Sequence, residues 1–226
     1  MEEKKHRERG LRSRVGALLG AENFEDRLEV WTQWPPRKVI NPLLSFIYSL
    51  DPLLKGRAVT AIGVVMHQMA GENMEQARDI MRRLMWNLND ESGCSGWGSG
   101  EAMGEIMARH GRLAEEFHRI LGSYISHAGN HLGNDLLERG VLWGLARLAQ
   151  KRPELVQRSV PDLVLYLESQ DPHHRGLACW ALSFLQSSSA IPALRGLLND
   201  EEVIPIFHEG KVEHHKVAQL ARMALQ

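Results

Sequence analysis

The chain has 226 residues, 43% of them apolar and 24% charged, with 27 Lys and Arg against 28 Asp and Glu. This balance belongs to a soluble globular protein and lacks the basic excess of one that works mainly through nucleic-acid phosphates, so nucleic acid is a poor fit as partner. Two cysteines, Cys94 and Cys179, exclude a disulfide framework and favour a reducing, cytoplasmic setting. No apolar run reaches the roughly 18–20 residues of a membrane span.

The first segment, MEEKKHRERGLRSR, has no apolar stretch behind its charges and reads as a solvated helix start, not a signal peptide. An irregular N-terminal helical cap is expected over 1–37, packed by Trp31 and Trp34 and ending at Trp34-Pro35-Pro36. After it the helices are expected in A–B pairs. The first A helix starts near Pro42, and its counterparts start near Pro161 and Pro192, because proline in the first turn sacrifices no hydrogen bond. Asp51-Pro52 and Asp171-Pro172 supply an N-cap acid and an N1 proline for two B helices.

Five heptapeptides align without gaps inside the B helices: RAVTAIG, GSGEAMG, ERGVLWG, RGLACWA and HKVAQLA. Each ends in a small residue (Gly63, Gly104, Gly144, Ala181, Ala221) preceded by a bulky apolar one (Ile62, Met103, Trp143, Trp180, Leu220). The spacing, 37 to 41 residues, is that of stacked helical hairpins. The small residue permits close approach of neighbouring helices, and the bulky one fills the layer between them. The expected units are 38–71, 72–111, 112–151, 152–187 and 188–226, in one domain. Within the last, VIPIFHEGKVEHH alternates apolar and polar residues around Glu209-Gly210 and fits a small β-hairpin near 203–213.

The proline-started A helix, the Asp-Pro turn and the small residue of helix B resemble HEAT repeats of the short bacterial type, over about 38–226. The segment MRRLMWNLNDESGCSGWGSGEAMGEI also resembles the signature of an uncharacterised bacterial HEAT-repeat family. The resemblance implies an all-α fold, a right-handed α-solenoid of about five HEAT-like hairpins, and a role as a scaffold or binding surface. It implies no activity.

The departures from the repeat are in two A–B turns. In the second unit the turn swells to 87–100, with Trp86, Asn89, Asp90, Glu91, Ser92, Trp97 and Glu101 in or beside it. It is acidic and lacks the Gly-Lys-Ser/Thr of a phosphate-binding loop, so it reads either as a capped structural loop or as a binding edge. In the third unit the turn SHAGNHLGND carries His127, Asn130 and His131. Equivalent turns of a solenoid stack along one edge, which would make these two turns neighbours. The same logic would align His173, His174, His208, His214 and His215 with them.

The leading expectation is a non-enzymatic scaffold for a protein or peptide, binding through its concave face and this edge. The acids of the loop favour a basic partner, and no cofactor is expected. The first alternative is a metal-binding or catalytic protein using the same edge, with His127, His131, Asp90 and Glu91 as candidate ligands. Yet there is no HExxH, and the loop holds no recognisable nucleophile and base. The second alternative, a HEAT-like DNA-repair glycosylase, expects a basic concave face. Here Lys55, Arg57, Arg109, Arg139, Arg147 and Arg175 are interleaved with Glu101, Glu105, Asp135 and Glu138.

Overall fold

A computed structural model describes residues 2–90 and 96–226, with side chains from residue 10 onward. Helix α1 (Glu2–Leu19) and a 3-10 helix (Glu25–Gln33) precede the repeats. Then come α2 (Pro36–Leu44), α3 (Pro52–Glu72), α4 (Met74–Leu88), α5 (Ser99–Arg109), α6 (Gly111–Ser123) and α7 (Asp135–Lys151). Short helices α8 (Pro153–Val156) and α9 (Val160–Tyr166) lead to α10 (Pro172–Leu182). Helix α11 (Ile191–Gly196), strands β1 (Val203–His208) and β2 (Lys211–Lys216), and α12 (Val217–Ala224) complete the chain. No described helix is long and apolar enough to cross a membrane.

Helices α3, α5, α7, α10 and α12 lie side by side as an inner layer, and the shorter helices pack behind them. The bulky residues Ile62, Met103, Trp143, Trp180 and Leu220 are all buried. The small residues do what their size allows. A methyl group at Gly104 would overlap the backbone of Gly144, so α5 and α7 touch main chain to main chain.

The Asp-Pro signals act as read. The Asp51 carboxylate accepts from the Leu53 and Leu54 amides at 2.9 and 3.3 Å, and Asp171 accepts from His173 N at 2.9 Å. One expected start is corrected. Helix α2 begins at Pro36, and Pro42 lies inside it. Pro36 occupies the N1 position, where the missing amide hydrogen has no helical partner to lose.

The hairpin forms with a two-residue turn in which Glu209 (φ 46°) and Gly210 (φ 74°) are both left-handed, the conformation that matches strand twist. Its destination changes the architecture. It folds back over the inner layer as far as α3. The Phe207 ring occupies the space where Gly56 lacks a side chain, and Trp143 Nε1 donates to Phe207 O at 3.0 Å. Ile204 packs over Gly176 on the opposite side of the strand. The turn is held by Arg57, whose Nε donates to Gly210 O (3.3 Å) while Nη1 donates to Leu19 O (2.9 Å) and Ala21 O (2.8 Å). Its guanidinium also lies over the Phe24 ring, 5.2 Å from the centroid.

Two measurements check this packing. Gly104→Ala is expected to lower the free energy of unfolding by about 1–3 kcal/mol, the cost of overpacking a rigid contact. Gly71→Ala, where nothing lies within 4 Å, is expected to be neutral or to stabilise α3 by up to about 1 kcal/mol. Arg57→Met leaves three carbonyl acceptors unpaired and is expected to destabilise by about 1–3 kcal/mol in urea titration.

Candidate functional site: a concave pocket and a polar edge

The hairpin covers the middle of the concave face and leaves a half-open pocket of about 340 Å³ on the side of the A–B turns. Its walls come from the first turns of the B helices, the end of the long loop and the hairpin. Val59, Trp97, Leu137, Trp143, Leu177 and Phe207 make it apolar, and Leu50 and Leu136 stand at its mouth. Leu50 is 83% exposed and Leu136 49% exposed, which is unusual for leucines beside a cavity.

The charged groups of the pocket are paired across repeats. Lys55 Nζ lies 2.5 Å from Glu101, and Arg139 Nε donates to Asp171 Oδ2 at 2.6 Å. A third pair, Arg175 with Asp200 at 2.7 Å, continues this ladder toward α12. Burial pushes the Asp171 carboxyl upward. The Arg139 hydrogen bond and the His173 amide outweigh it and hold the group below the usual carboxylate range. Burial, then Arg139, depresses His173, so its ring is neutral at pH 7. The described thiol, Cys179, is pushed up to about 12 by burial and is not a nucleophile at neutral pH.

The described ends of the long loop touch the residues that flank the second irregular turn. Asn89 Nδ2 donates to Tyr124 OH at 3.0 Å, and Gly96 lies against Leu137. Beyond them is a polar network rather than a pocket. His131 Nε2 lies 3.3 Å from buried Glu138, which accepts from Tyr166 OH at 2.8 Å. Burial, then Glu138, raises the Tyr166 phenol, which keeps it a donor. Asp135, Glu138 and His174 have side-chain atoms within 4.8 Å of one another, close enough to share a cation. However, both His174 nitrogens are already engaged, Nδ1 with Ser169 Oγ (3.1 Å) and Nε2 with the Asp135 carbonyl (3.0 Å). The network is satisfied by hydrogen bonds between the third and fourth repeats.

The residues singled out in the sequence thus fall in different places. Trp97 and Glu101 line the pocket. Trp86 is 77% exposed on α4 and does not line it. Asn89 ties the start of the long loop to Tyr124 at the end of α6, and Asp90 is half-buried at the loop entry. Asn130 donates to Ser123 Oγ at 3.1 Å, and the His127 ring lies 4.1 Å from that of His131. Glu91 and Ser92 lie outside the described residues.

The single histidine edge is corrected. His208 sits against Trp180 and Gln150 on the inner layer, and His214 and His215 lie on β2. The hairpin leaves the repeat register, so the stacking rule does not extend to it. Sequence reasoning also missed Lys55, Arg139, His173 and Phe207 as pocket residues. The one signal was that β1 is apolar on both faces, Ile204 and Ile206 against Phe207, which marks a strand covered on both sides.

The Asp171 pair has a defined pH signature. Asn at this position keeps the cap but removes the charge, so Asp171→Asn is expected to cost about 1–2 kcal/mol at pH 7. A depressed carboxylate contributes stability fully above its unfolded value of about 3.9 and loses it as pH falls through the lower folded value. Unfolding curves of the two proteins are therefore expected to converge below pH 3.

Residues 136–185 match the HEAT-like repeat family. No curated protein matches the chain. Among solved structures, a designed armadillo repeat protein in complex with the peptide (KR)4 is 16% identical, with a TM-score of 0.53, covering 94% of this chain and 97% of that one. A second designed armadillo repeat protein has the same identity and coverage with a TM-score of 0.52. An engineered protein is also 16% identical, with a TM-score of 0.52 and coverage of 95% and 94%. At this identity the likeness establishes the fold alone. Residues 136–185 therefore resemble a HEAT-like repeat, and the chain has a helical-repeat fold along nearly its whole length.

Proposed function

We propose that this protein is a non-enzymatic interaction scaffold that holds a protein or peptide partner at the pocket between the hairpin and the first turns of α3, α5, α7 and α10. The observation that carries this reading is the apolar pocket with two exposed leucines at its mouth. A volume of about 340 Å³ suits one aromatic or aliphatic side chain, and Leu50 and Leu136 extend the apolar contact around such an anchor. Lys55, Glu101 and Arg139 stand at the rim, where they can hydrogen-bond the partner's main chain.

A designed armadillo relative holds a basic peptide. In this chain Glu101, the described acid that lines the pocket, is neutralised by Lys55, and Arg139 is neutralised by Asp171, so an apolar anchor has better support than a basic one. The hairpin covers the centre of the concave face, which leaves the pocket edge as the docking point.

Peptide-library selection on the intact protein tests the reading. Enriched sequences are expected to share one large apolar residue, and Leu136→Ser is expected to weaken them about tenfold or more. Loss of binding with Trp86→Ser but not with Leu136→Ser would move the site to α4 and reject the pocket.

A further inference from the structure

On the opposite side of the hairpin, the C-terminal halves of α5 and α7 meet the hairpin turn and the 3-10 helix around a small polar pocket of about 110 Å³. Its charges are of both signs and come from different elements. Arg109, Arg147 and Lys151 stand on α5 and α7, while Glu25 begins the 3-10 helix and Glu209 lies in the hairpin turn. Glu105, 1% exposed, accepts from Arg109 Nε on one oxygen and from Arg147 Nε on the other at 2.5 Å. This clamp fixes both guanidinium planes. It leaves the Arg109 Nη groups and Arg147 Nη2 without a hydrogen-bond partner among the described residues. The side chains of Glu25, Glu209 and Lys151 likewise make no hydrogen bond or ion pair with a described residue. Partial burial raises the Glu25 carboxyl; Arg109 opposes this, and Glu105 and Glu209 add to it. The pocket is therefore balanced in charge, yet its outer groups of each sign lack contacts.

A second observation is independent of charge. Thr60 on α3 lines the same pocket and is 7% exposed. A helical threonine ordinarily returns its hydroxyl to a carbonyl one turn back. The Thr60 hydroxyl makes no hydrogen bond with a described residue, and it is not sealed from solvent as Gln68 Oε1 and Ser99 Oγ are. A nearly buried hydroxyl that opens onto a cavity is satisfied by what enters that cavity.

We infer that this pocket binds a free α-amino acid, with its ammonium between Glu25 and Glu209 and its carboxylate at Lys151 and the unused Nη groups of Arg109 and Arg147. The Thr60 hydroxyl, donor and acceptor alike, can serve either end. A simple anion meets repulsion from Glu25 and Glu209, and a simple cation meets it from Lys151 and the arginines. An α-amino acid carries both charges on one carbon, and a pocket with room for about four waters suits its main-chain atoms. Its side chain can extend into the adjoining open groove of about 530 Å³, which shares Arg109, Arg147 and Lys151. The guanidinium groups are already oriented by Glu105, so little side-chain freedom remains to be lost on binding.

Isothermal titration of the intact protein with each of the twenty L-α-amino acids, at pH 7 and fixed ionic strength, tests this. Saturable one-to-one binding is expected for at least one of them, and not for its N-acetyl or methyl-ester derivative, each of which lacks one charge. Glu25→Gln and Lys151→Met are each expected to weaken it about tenfold, and Lys151→Arg to retain it. Both residues are exposed, so these changes remove charge without disturbing the core. Thr60→Val replaces an unpartnered hydroxyl by a methyl group. It is expected to leave Tm unchanged or higher while weakening binding about fivefold, which a purely structural threonine would not do. Leu136→Ser, which disables the peptide pocket, is expected to leave amino-acid binding intact, so the two readings fail separately. No saturable heat with any amino acid overturns the inference. Equal binding of either derivative, or wild-type affinity in Glu25→Gln, Lys151→Met or Thr60→Val, also overturns it.

Discussion

The structure depends on one buried cation. Arg57 is 9% exposed, and its guanidinium bonds the carbonyls of Leu19, Ala21 and Gly210. Two of these acceptors lie at the end of α1, where the helix leaves its last carbonyls unpaired and negative. The third is the turn of the hairpin, 153 residues further along the chain. One side chain therefore connects the N-terminal cap, the first repeat and the last. An open solenoid has only neighbour contacts, and its stability adds repeat by repeat. Here the two ends are tied, so the curvature of the inner layer is set by closure as well as by stacking.

Closure also creates the sites. An uncovered concave face would be one continuous groove. The hairpin crosses it with Phe207 seated over Gly56 and anchored by Trp143, and so divides it. On one side are apolar walls and neutralised ion pairs; on the other, Arg109, Arg147 and Lys151 share a polar pocket with Glu25, Glu105 and Glu209. The two compartments differ because the B helices carry different residues in their first and last turns. The early positions Lys55, Glu101, Arg139 and Arg175 alternate well enough to pair across repeats or with a cap acid. Of the late positions, Arg109 and Arg147 both pair with Glu105, and Glu25 and Glu209 line the same pocket as these arginines and Lys151. The Glu105 carboxylate belongs to the structure as much as to the site, since removing one partner of a buried pair strands the other charge.

Much of the fold was legible in the residues. The heptapeptides, the Asp-Pro caps and the Glu209-Gly210 turn are local signals, and each specifies a backbone state that needs little from the rest of the molecule. Their failures are also local in origin. Pro36 and Pro42 both fit a helix start, and only the packing of α2 decides between them. The site was legible in part. The period identified the irregular turns, and it gave Trp97 and Glu101 their importance. It treated Trp143 as core alone, whereas that indole is buried and also anchors the hairpin and walls the pocket.

By itself, the sequence determined that the chain is a stack of helical hairpins with a β-hairpin near its end, because periodicity, caps and turn chemistry act over a few residues. Only the tertiary structure decided where that hairpin goes, and with it which side chains meet. Phe207 and Gly56 are separated by 151 residues, and nothing in either local pattern marks the other. Their contact depends on the summed geometry of every intervening repeat, a property of the packed layer rather than of any segment.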